Sequence, residues 1–373
     1  MSGDEGRGAE GTRPLEILLD ARMVGARMHG IARYAIDLAR GLAALGQRVH
    51  VLSSSDAAAD AIGRDAVAGT VRCGIPFASP LECLRLGGSF PAGRFDVIHF
   101  PSFAIPLRPP PNSVVTVHDL VHLDPPAGLA HRAYYHWVLA PALRARSSIA
   151  VSAFGRDELV RRLGVPAASI RVIRPGVAVP VAAGSPPEIA RPYVLCVANA
   201  RRHKNAATAV EACRIAWESG ADFRLVLAIG DAAWPGARGL APRLVLPGPL
   251  PEDALASLRA GAAAVLCPSR SEGFDYPLAE ALAAGARVIA SDIPAHREFT
   301  GDRLEFYGGP DDAPALAKRI AAALWEPPSV SRAHSVRTVA DMAADTLALY
   351  REVAAGSRPR TRSQSRSSGS HAG

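Results

Sequence analysis

The sequence lacks the features that would place the chain in a membrane or in an oxidising compartment. In its 373 residues, no uninterrupted apolar run approaches the roughly 18 residues that a membrane-spanning helix needs. The first residues, MSGDEGRGAEGTRP, are polar and contain no apolar stretch of the secretory kind. The five cysteines are scattered and lack C-x-x-C spacing, which argues against a disulfide framework and a zinc site. These absences predict a cytoplasmic protein with reduced thiols.

Familiar phosphate-binding and metal-binding motifs are also missing. The sequence contains no Walker A loop and no D-x-D pair, although enzymes that hold a nucleotide sugar through a divalent metal commonly use such carboxylates. We therefore expect no metal site and no cofactor, and we expect other groups to neutralise any bound diphosphate. The letters GRGAEG at residues 6–11 fit G-x-G-x-x-G, but they precede the first predicted strand instead of following one, so they carry no dinucleotide prediction.

The formal net charge of +7 is concentrated at one end of the chain. Four arginines and no acidic residue occur in the last stretch, SRPRTRSQSRSSGSHAG. This composition predicts a disordered basic tail over residues 357–373, and a disordered leader over residues 1–13. The tail is either a solubilising end or a weak electrostatic contact with anionic lipid at the inner membrane face, or with another polyanion. We expect no specific nucleic-acid binding.

The first half of the chain alternates strand-like and helical segments. Ile31, Ala35, Leu38, Leu42 and Leu45 advance by four, three, four and three, which predicts one buried face of a helix. Nearly continuous apolar runs, typical of parallel strands covered on both faces, occur at residues 15–19, 48–52, 96–100, 113–117, 148–152 and 170–173. We predict an N-terminal α/β domain over residues 14–177.

A Pro-, Gly- and Ser-rich linker at residues 178–191 precedes a second series of the same kind. Predicted strands lie at residues 193–198, 223–229, 262–268 and 287–291, and predicted helices lie at 205–218, from Pro277, and at 312–325. This series predicts a C-terminal domain over residues 192–333, followed by a helix over 334–356 that could cross the hinge. The expected fold is two Rossmann-like, doubly wound parallel-sheet domains facing across a cleft.

The stretch PSRSEGFDYPLAEALAAGARVIASD, residues 268–292, is the most informative part of the sequence. Pro277 suits the first position of a helix, which predicts Glu280 in the first helical turn and Glu272 in the preceding loop. Both carboxylates follow the C-terminal end of a strand, the usual ligand position in an α/β sheet. The start of the helix also offers a positive partial charge to a phosphate. The two carboxylates can therefore face one ligand from two sides.

Residues 272–285 resemble the E-x7-E signature of the retaining family 4 glycosyltransferases (glycosyl transferases group 1), written approximately E-G-F-G-L-P-x-x-E-A-x-A-x-G. The resemblance implies the GT-B fold and the transfer of a hexosyl group from a nucleotide diphosphate sugar, with retention of anomeric configuration. It also implies that Gly273, Phe274 and Asp275 lie against the donor. Where the family has Gly and Leu, this chain has Asp275 and Tyr276.

The segment CVANARRHKN, residues 196–205, resembles the passage in the same family that runs from a strand into a loop ending in K-N. The resemblance implies that Lys204 stabilises the leaving diphosphate, whose negative charge grows as the glycosidic bond breaks. The family often has an early arginine where this chain has Asn199, so Arg201 or Arg202 would have to substitute. Without the resemblance, RRHK would indicate a solvated basic loop.

Two segments of the first domain extend the resemblance. MHGIARY, residues 28–34, resembles the glycine loop after the first strand, which implies that the amides of Gly30 and Ile31 reach the donor phosphates. TVHDL resembles the H-D-L segment of mannosyl- and related transferases, which implies that His118 lies near the donor sugar. A lone histidine beside a strand would otherwise be a structural hydrogen-bonding residue. Leu250, in LPGPLPED, is predicted to pack near the base.

The resemblance assigns catalytic roles to Glu272, Lys204 and His118, with Glu272 steadying the donor sugar. Glu280 is expected to accept hydrogen bonds from the ribose hydroxyls. The resemblance implies a GDP- or UDP-sugar as donor, and the expected acceptor, bound by the first domain, is a glycan, a lipid-linked carrier or a small molecule. The substitutions at Asn199, Asp275 and Tyr276 leave an alternative open: a transferase-like protein that binds a nucleotide sugar or polyanion with little or no turnover.

Overall fold

The computed structural model describes residues 13–25, 30–79, 81–124, 128–178, 189–199, 201–229, 240, 242–300, 302–325 and 336–357. Nearly all of the predicted leader and of the basic tail, and most of the predicted linker, lie outside these residues. So do the first two residues of the MHGIARY segment. None of the helices in the described part of the chain is both long enough and apolar enough to span a bilayer.

Seven parallel strands form the first sheet, in the order β3-β2-β1-β4-β5-β6-β7. The strands are β1 Glu16–Asp20, β2 Arg48–Ser53, β3 Gly69–Arg72, β4 Val97–Phe100, β5 Ser113–Val117, β6 Ser147–Ala150 and β7 Ile170–Val172. Most of these strands are apolar and buried, because helices cover both faces. The strand order reverses between β1 and β4, and ligands of doubly wound sheets bind at such a reversal.

Helices pack on both faces of the first sheet. They are α1 Gly30–Ala44, α2 Ala57–Ile62, α3 Glu82–Arg85, α4 Leu129–Tyr134, α5 Ala140–Ala145 and α6 Ala153–Leu163, with a π-helical turn at Tyr135–Leu139 between α4 and α5. The predicted apolar face of α1 is confirmed, because Ala35, Leu38 and Leu42 are fully buried. Leu45, at the end of that series, lies beyond the helix and is exposed.

Six parallel strands form the second sheet, in the order β10-β9-β8-β11-β12-β13. The strands are β8 Tyr193–Ala198, β9 Arg224–Ile229, β10 Leu244–Val245, β11 Ala264–Cys267, β12 Val288–Ala290 and β13 Leu304–Phe306. The order reverses between β8 and β11, which pair in register with Leu266 opposite Cys196. The segment containing Lys204 and the segment containing Glu272 therefore leave neighbouring strands at the same edge of the sheet.

The helices of the second domain are α7 Ala206–Glu218, α8 Glu252–Gly261, α9 Tyr276–Ala283 and α10 Ala313–Trp325. Helix α9 begins at Tyr276, one residue before the predicted start, and the prediction that Glu280 lies in the first turn is wrong. Pro277 occupies the second helical position, where its missing N–H also costs no hydrogen bond. The two parallel-sheet domains confirm the predicted fold class.

The last helix, α11 Val339–Ser357, packs on the first domain. Met342, Tyr350 and Val353 are buried in the same cluster as α1 and the first sheet. The segment that leads into α11 passes close to Gly176. Beside it, the Val177 amide donates a hydrogen bond to the Arg337 carbonyl oxygen at 2.9 Å. The C-terminal helix thus extends the core of the N-terminal domain.

A buried polar network joins α11 to the first sheet. His99 Nδ1 lies 2.5 Å from the Tyr350 hydroxyl, and His99 Nε2 lies 2.7 Å from Thr116 Oγ1. The Tyr34 hydroxyl lies 3.3 Å from the same Thr116 oxygen. Burial lowers the pKa of His99 to about 3, so the imidazole is neutral at pH 7. The network fixes one position of α11 without burying a charge.

We expect Gly176→Ala to destabilise the protein, because a Cβ there would lie 2.2 Å from the Thr338 carbonyl oxygen and 2.5 Å from the Val339 nitrogen. Backbone atoms cannot move aside as a side chain can, so the start of α11 must shift. The expected loss is about 1–3 kcal/mol in the free energy of unfolding, measured by urea denaturation. Gly74→Ala is the matched control, because a Cβ there meets no heavy atom within 4 Å. Equal stability of the two variants would contradict the described packing.

Candidate active site

Lys204 ends a short 3-10 turn, Arg202–Lys204, that follows β8. The next residue, Asn205, has φ 54°, a left-handed conformation that asparagine tolerates better than most residues. Its buried amide nitrogen donates to the carbonyl oxygens of Pro268 at 3.0 Å and Pro310 at 2.7 Å. Asn205 therefore ties the Lys204 turn to the end of β11 and fixes where the lysine points.

Lys204 and two buried carboxylates form the centre of the site. Lys204 Nζ lies 2.7 Å from Glu272 Oε1 and 3.6 Å from Asp275 Oδ1. Glu272 is 6% exposed and Asp275 is 2% exposed. Water contributes little to the solvation of these charges, so the ammonium group is their main compensation. The structure thus joins two predicted residues, Lys204 and Glu272, in one ion pair.

The two carboxylates differ in how readily they take up a proton. Burial raises the pKa of Glu272, and the negative charge of Asp275 adds to this effect, while Lys204 offsets only part of it. Burial would raise the pKa of Asp275 as well, but Lys204 and His296 outweigh it and hold that pKa at about 2. Burial would lower the pKa of Lys204, but the carboxylates raise it. Lys204 is therefore charged at pH 7 despite its burial.

His296 is a site residue that the sequence reasoning missed. It follows β12, is completely buried, and places Nε2 3.1 Å from Asp275 Oδ2. Its other ring nitrogen, Nδ1, lies 2.9 Å from the Ser291 carbonyl oxygen. In the sequence SDIPAHRE, no periodicity or motif spacing relates this histidine to Asp275, which lies 21 residues earlier. Only the pairing of β11 with β12 brings them together.

Glu280 is also buried, and its partner is an arginine that the sequence did not indicate. Arg259, on α8, is 2% exposed and contacts Glu280 Oε2 through Nη2. Its Nη1 atom lies 3.0 Å from Glu252 Oε1. Burial raises the pKa of Glu280, and Arg259 offsets part of that rise. One carboxylate oxygen of Glu280 is thus engaged by the protein.

The same set of ion pairs continues into the first domain. Glu252 Oε2 lies 3.5 Å from Arg33 Nη1 on α1, and Arg33 Nε lies 2.9 Å from Asp37 Oδ2. Because α1 begins at Gly30, Arg33 lies in its first turn. The ion pairs thus connect the start of α1 to Glu280 across the cleft.

The starts of α1 and α9 also touch directly. A Cβ at Gly30 would lie 3.6 Å from Cδ2 of Tyr276, and the Tyr276 ring packs against the core of the first domain. Ile31 is half-buried against that core. The structure therefore places Gly30 and Ile31 at the cleft, on the side opposite the loop that contains Glu272.

His118 lies at the end of β5, where it meets the loop containing Glu272. Its Nε2 lies 3.1 Å from the Pro101 carbonyl oxygen, and its ring packs edge-on against Tyr34 with centroids 4.9 Å apart. A Cβ at Gly273 would lie 1.5 Å from the His118 carbonyl oxygen, so only glycine fits at that position. A cavity of about 20 Å³, lined by His118 and Glu272 among others, remains between the loops.

Other predicted site residues lie further from this centre. The Phe274 ring packs against Tyr276 and Phe299, with centroids 5.0 and 5.3 Å apart. Leu250 is partly buried against the core of the second domain. Arg201 and Arg202 are exposed.

Arg201 nevertheless lies near the first domain. Burial, followed by the charges of His131 and Arg201, lowers the pKa of His122, which belongs to the first domain, while Asp119 opposes the shift. The charge of Arg201 therefore acts on a residue of the first domain.

A second contact between the domains lies beside the site. The Glu298 carboxylate accepts hydrogen bonds from the amides of Ala153 at 3.0 Å and Phe154 at 2.7 Å, the first two residues of α6. It also lies 3.0 Å from Arg174 Nη2. An anion at a helix N-terminus interacts favourably with the unpaired amides and the helix dipole. Glu298 thus joins the second domain to α6 of the first.

No group of three or more His, Cys, Asp or Glu side chains able to hold a metal ion occurs among the residues that the structure describes. The positive charges of the site belong to lysine, arginine and histidine side chains, and its negative charges belong to glutamate and aspartate side chains. In the site, Lys204, Arg259 and His296 are each in contact with a buried carboxylate.

The fold is that of two Rossmann-like α/β domains with a charged site between them, and comparisons with known proteins identify the family. Residues 28–179 match Glycosyltransferase Family 4, and residues 191–325 match Glycosyl transferases group 1. Together these matches cover more than two thirds of the chain, which belongs to the glycosyltransferases of these families. No curated protein sequence matches the chain.

Solved structures share the fold at low sequence identity. Sucrose-phosphate synthase from Thermosynechococcus elongatus has a TM-score of 0.70 and 20% identity, over 92% of this chain and 100% of that one. A glycosyltransferase from Rickettsia africae has a TM-score of 0.67 and 16% identity, over 92% and 99%. HepE from Anabaena, solved in complex with UDP-glucose, has a TM-score of 0.63 and 17% identity, again over 92% and 99%. These similarities establish the GT-B fold.

We expect Arg259→Met to destabilise the protein strongly, because it leaves the buried Glu280 carboxylate without its cation. Removing one partner of a buried ion pair costs about 3–5 kcal/mol, which urea denaturation at pH 7 would measure. The double variant Arg259→Met with Glu280→Gln should recover much of that loss. Arg214→Met, which removes an exposed arginine of α7 that pairs with Glu211 and Glu218, is the control and should leave stability near that of the wild type. A loss at Arg259 no larger than at Arg214 would contradict the buried pair.

Proposed function

We propose that this protein transfers a hexosyl group from a nucleoside diphosphate sugar to an acceptor hydroxyl, with retention of anomeric configuration. The acceptor is a glycan, a lipid-linked carrier or a small molecule, held mainly by the first domain. The donor is held mainly by the second domain. The observation that carries this proposal is the buried Lys204–Glu272 pair at the edge of the second sheet, facing His118 of the first.

Lys204 is suited to stabilise the leaving diphosphate. As the bond between the anomeric carbon and the diphosphate oxygen breaks, negative charge grows on the diphosphate, and a cation already fixed in a water-poor site lowers the barrier. The carboxylates raise the pKa of Lys204, so it carries this charge throughout the neutral range. The amides at the starts of α1 and α9 and the exposed Arg201 add positive potential around the same position.

In this proposal, Glu272 and Glu280 contact different parts of the donor. Glu272, at the cavity beside His118, receives the sugar. Glu280, one turn into α9, receives the ribose through Oε1, because Arg259 contacts its Oε2. Arg259 thereby fixes the orientation of the ribose-binding carboxylate. His118, held by Pro101 and Tyr34, lies on the sugar side of the cleft.

Donor entry requires the two domains to separate from the arrangement described here. A cavity of about 20 Å³ holds about one water molecule and is far too small for a hexose. The contacts that must open are the backbone contact between Gly273 and His118 and the contact between Gly30 and Tyr276. Closure over the donor would exclude water and so prevent hydrolysis.

Two sugar nucleotides are the first donors to test. The similarity to HepE, solved with UDP-glucose, supports a UDP-hexose. The H-D-L segment at His118 supports GDP-mannose. The tight contact between Gly273 and His118 also favours a second candidate function, a protein of transferase fold that binds the nucleotide sugar with little or no turnover.

We expect Lys204→Ala and Glu272→Ala each to lower the rate of nucleoside diphosphate release about 100- to 1,000-fold, because each removes a positioned charge next to the reacting bond. The rate would be measured with UDP-glucose, UDP-galactose and GDP-mannose, each with a panel of acceptors. The matched controls, both in the same domain, are Lys318→Ala at an exposed residue and Glu211→Ala at a half-buried residue on the outer side of α7 that pairs with Arg214. Unchanged rates in all four variants would refute the proposed roles. Nucleotide-sugar binding without release by the wild type would favour the second candidate function.

The same assay tests how the diphosphate is neutralised. Because the sequence lacks D-x-D and Lys204 occupies the site, we expect the release rate to change less than about twofold when EDTA replaces MgCl₂. In that case, raising the ionic strength at constant pH should weaken nucleotide binding, since the remaining attraction comes from partly solvated charges. A loss of activity in EDTA that MgCl₂ or MnCl₂ restores would show that a metal ion takes part.

A further inference from the structure

One carboxylate oxygen of Asp275 makes no hydrogen bond of normal geometry, although the Lys204 ammonium group and the Leu278 amide lie near the carboxyl and lower its pKa. Oδ2 faces His296 Nε2 at 3.1 Å, while Oδ1 is buried and accepts no hydrogen bond, with Lys204 Nζ 3.6 Å away. A buried acceptor without a hydrogen bond is unfavourable, so a ligand hydroxyl that donates to Oδ1 would bind favourably. The family that this loop resembles has glycine at this position, which offers no such acceptor.

The geometry around His296 shows that this ring carries two protons. Nδ1 lies 2.9 Å from the Ser291 carbonyl oxygen, which can only accept, and Nε2 faces the Asp275 carboxylate. The Ser291 hydroxyl is 3.3 Å from Nδ1, but it donates to the Ser269 carbonyl at 2.5 Å. Both ring nitrogens therefore donate, and His296 is an imidazolium.

The charges of the cluster agree with that protonation state. Burial would lower the pKa of His296, but Asp275 and the Ser291 carbonyl raise it above its ordinary value. With Lys204 and His296 positive, two cations balance the two carboxylates of Glu272 and Asp275. A neutral His296 would leave the buried cluster with an excess of negative charge.

We propose that His296 is a positioning residue that holds Asp275 as a charged acceptor for one hydroxyl of the donor sugar, and that Asp275 thereby determines which sugar the site accepts. This inference rests on the proposed function and adds a specificity determinant to it. Glu272 and Asp275 both contact the same Lys204 ammonium group, at 2.7 Å and 3.6 Å, so a sugar that contacts Glu272 lies close to Asp275.

A hydroxyl fits this position better than a phosphate does. Asp275 would repel a phosphate, whereas Lys204, between Asp275 and Glu272, is placed to attract one. A site built to hydrogen-bond a hydroxyl discriminates strongly against a sugar that lacks it or presents it in the other configuration, because the buried acceptor is then left unpaired. Asp275 therefore acts on the sugar and not on the nucleotide.

The test compares Asp275→Asn with wild type by titration calorimetry, using UDP, GDP, UDP-glucose, UDP-galactose and GDP-mannose. We expect the affinity for the nucleotides to change less than about twofold, while the affinity for the best sugar nucleotide falls about 10- to 100-fold, as expected for loss of a charged acceptor. The preference among the sugars should also weaken. Asp292→Asn, an exposed aspartate paired with Arg297, is the control and should match the wild type.

His296→Gln tests the positioning role, because glutamine can donate to Asp275 but carries no charge. We expect a smaller loss of sugar-nucleotide affinity than in Asp275→Asn. Compared with the His296→Gln protein, the wild type should show an additional fall in the ratio of sugar-nucleotide to nucleotide affinity above the raised pKa of His296, as the imidazolium loses its proton. The His296→Gln protein should lack this alkaline fall.

The comparison of the wild type with His296→Gln also separates His296 from the titratable groups near it. Lys204 and the buried Cys196 and Cys267 thiols have raised pKa values and keep their protons in this range. Glu272, whose pKa burial raises, titrates in both proteins, so the difference between the two pH profiles isolates His296.

The outcomes separate this inference from the proposed function. If the wild type binds none of the five compounds, the proposed function itself fails. If it binds them and Asp275→Asn keeps the wild-type ratio of sugar-nucleotide to nucleotide affinity, Asp275 does not contact the sugar and the inference is wrong. Should Asp275→Asn fail to fold, the pH profiles of the wild type and His296→Gln decide, and identical profiles would overturn the role of His296.

Discussion

The ion pair between Lys204 and Glu272 is the constraint on which the rest of the site depends. A lysine and a glutamate can be buried together only if each compensates the charge of the other and if further polar groups fix their geometry. Asn205 does this for the lysine, since its side chain joins the turn after β8 to the loop after β11. The second domain therefore presents a cation that is fixed before any ligand arrives, and such preorganisation is what electrostatic catalysis requires.

The two domains are joined by contacts of three different kinds around this centre. Gly273 meets His118 through the backbone, Arg33 of α1 meets Glu252 of α8 through charge, and Glu298 meets the amides that begin α6. Two of these contacts are polar, while the Tyr276 ring adds an apolar contact with the core of the first domain. The N-terminal core, by contrast, is extended by α11 through buried apolar side chains and the His99–Tyr350 network. The C-terminal helix is thus held by an apolar core, whereas charged and polar groups supply much of the contact between the domains.

The sequence predicted the fold and named Lys204 and Glu272 as site residues, but it predicted neither the ion pair between them nor the partners of the other site residues. The alternation of apolar strands with helical periods was enough to predict two doubly wound domains, and the spacing of Glu272 and Glu280 predicted a site between them that stays a prediction. The roles of Arg259 and His296 could not be predicted, because neither lies at a fixed spacing from the residue it contacts. The predicted place of Leu250 near the base remains a prediction, and in the structure it packs partly into the domain core.

The sequence by itself determined the architecture and the kind of chemistry. Hydrophobic periodicity fixes which faces are buried, and a loop between a strand and a helix keeps its carboxylates and helix amides local to one another. Only the tertiary structure decided the state of each charge. The position of His296 behind Asp275, and of Arg259 beside Glu280, follows from how neighbouring strands and helices pack, and burial then sets which groups hold protons.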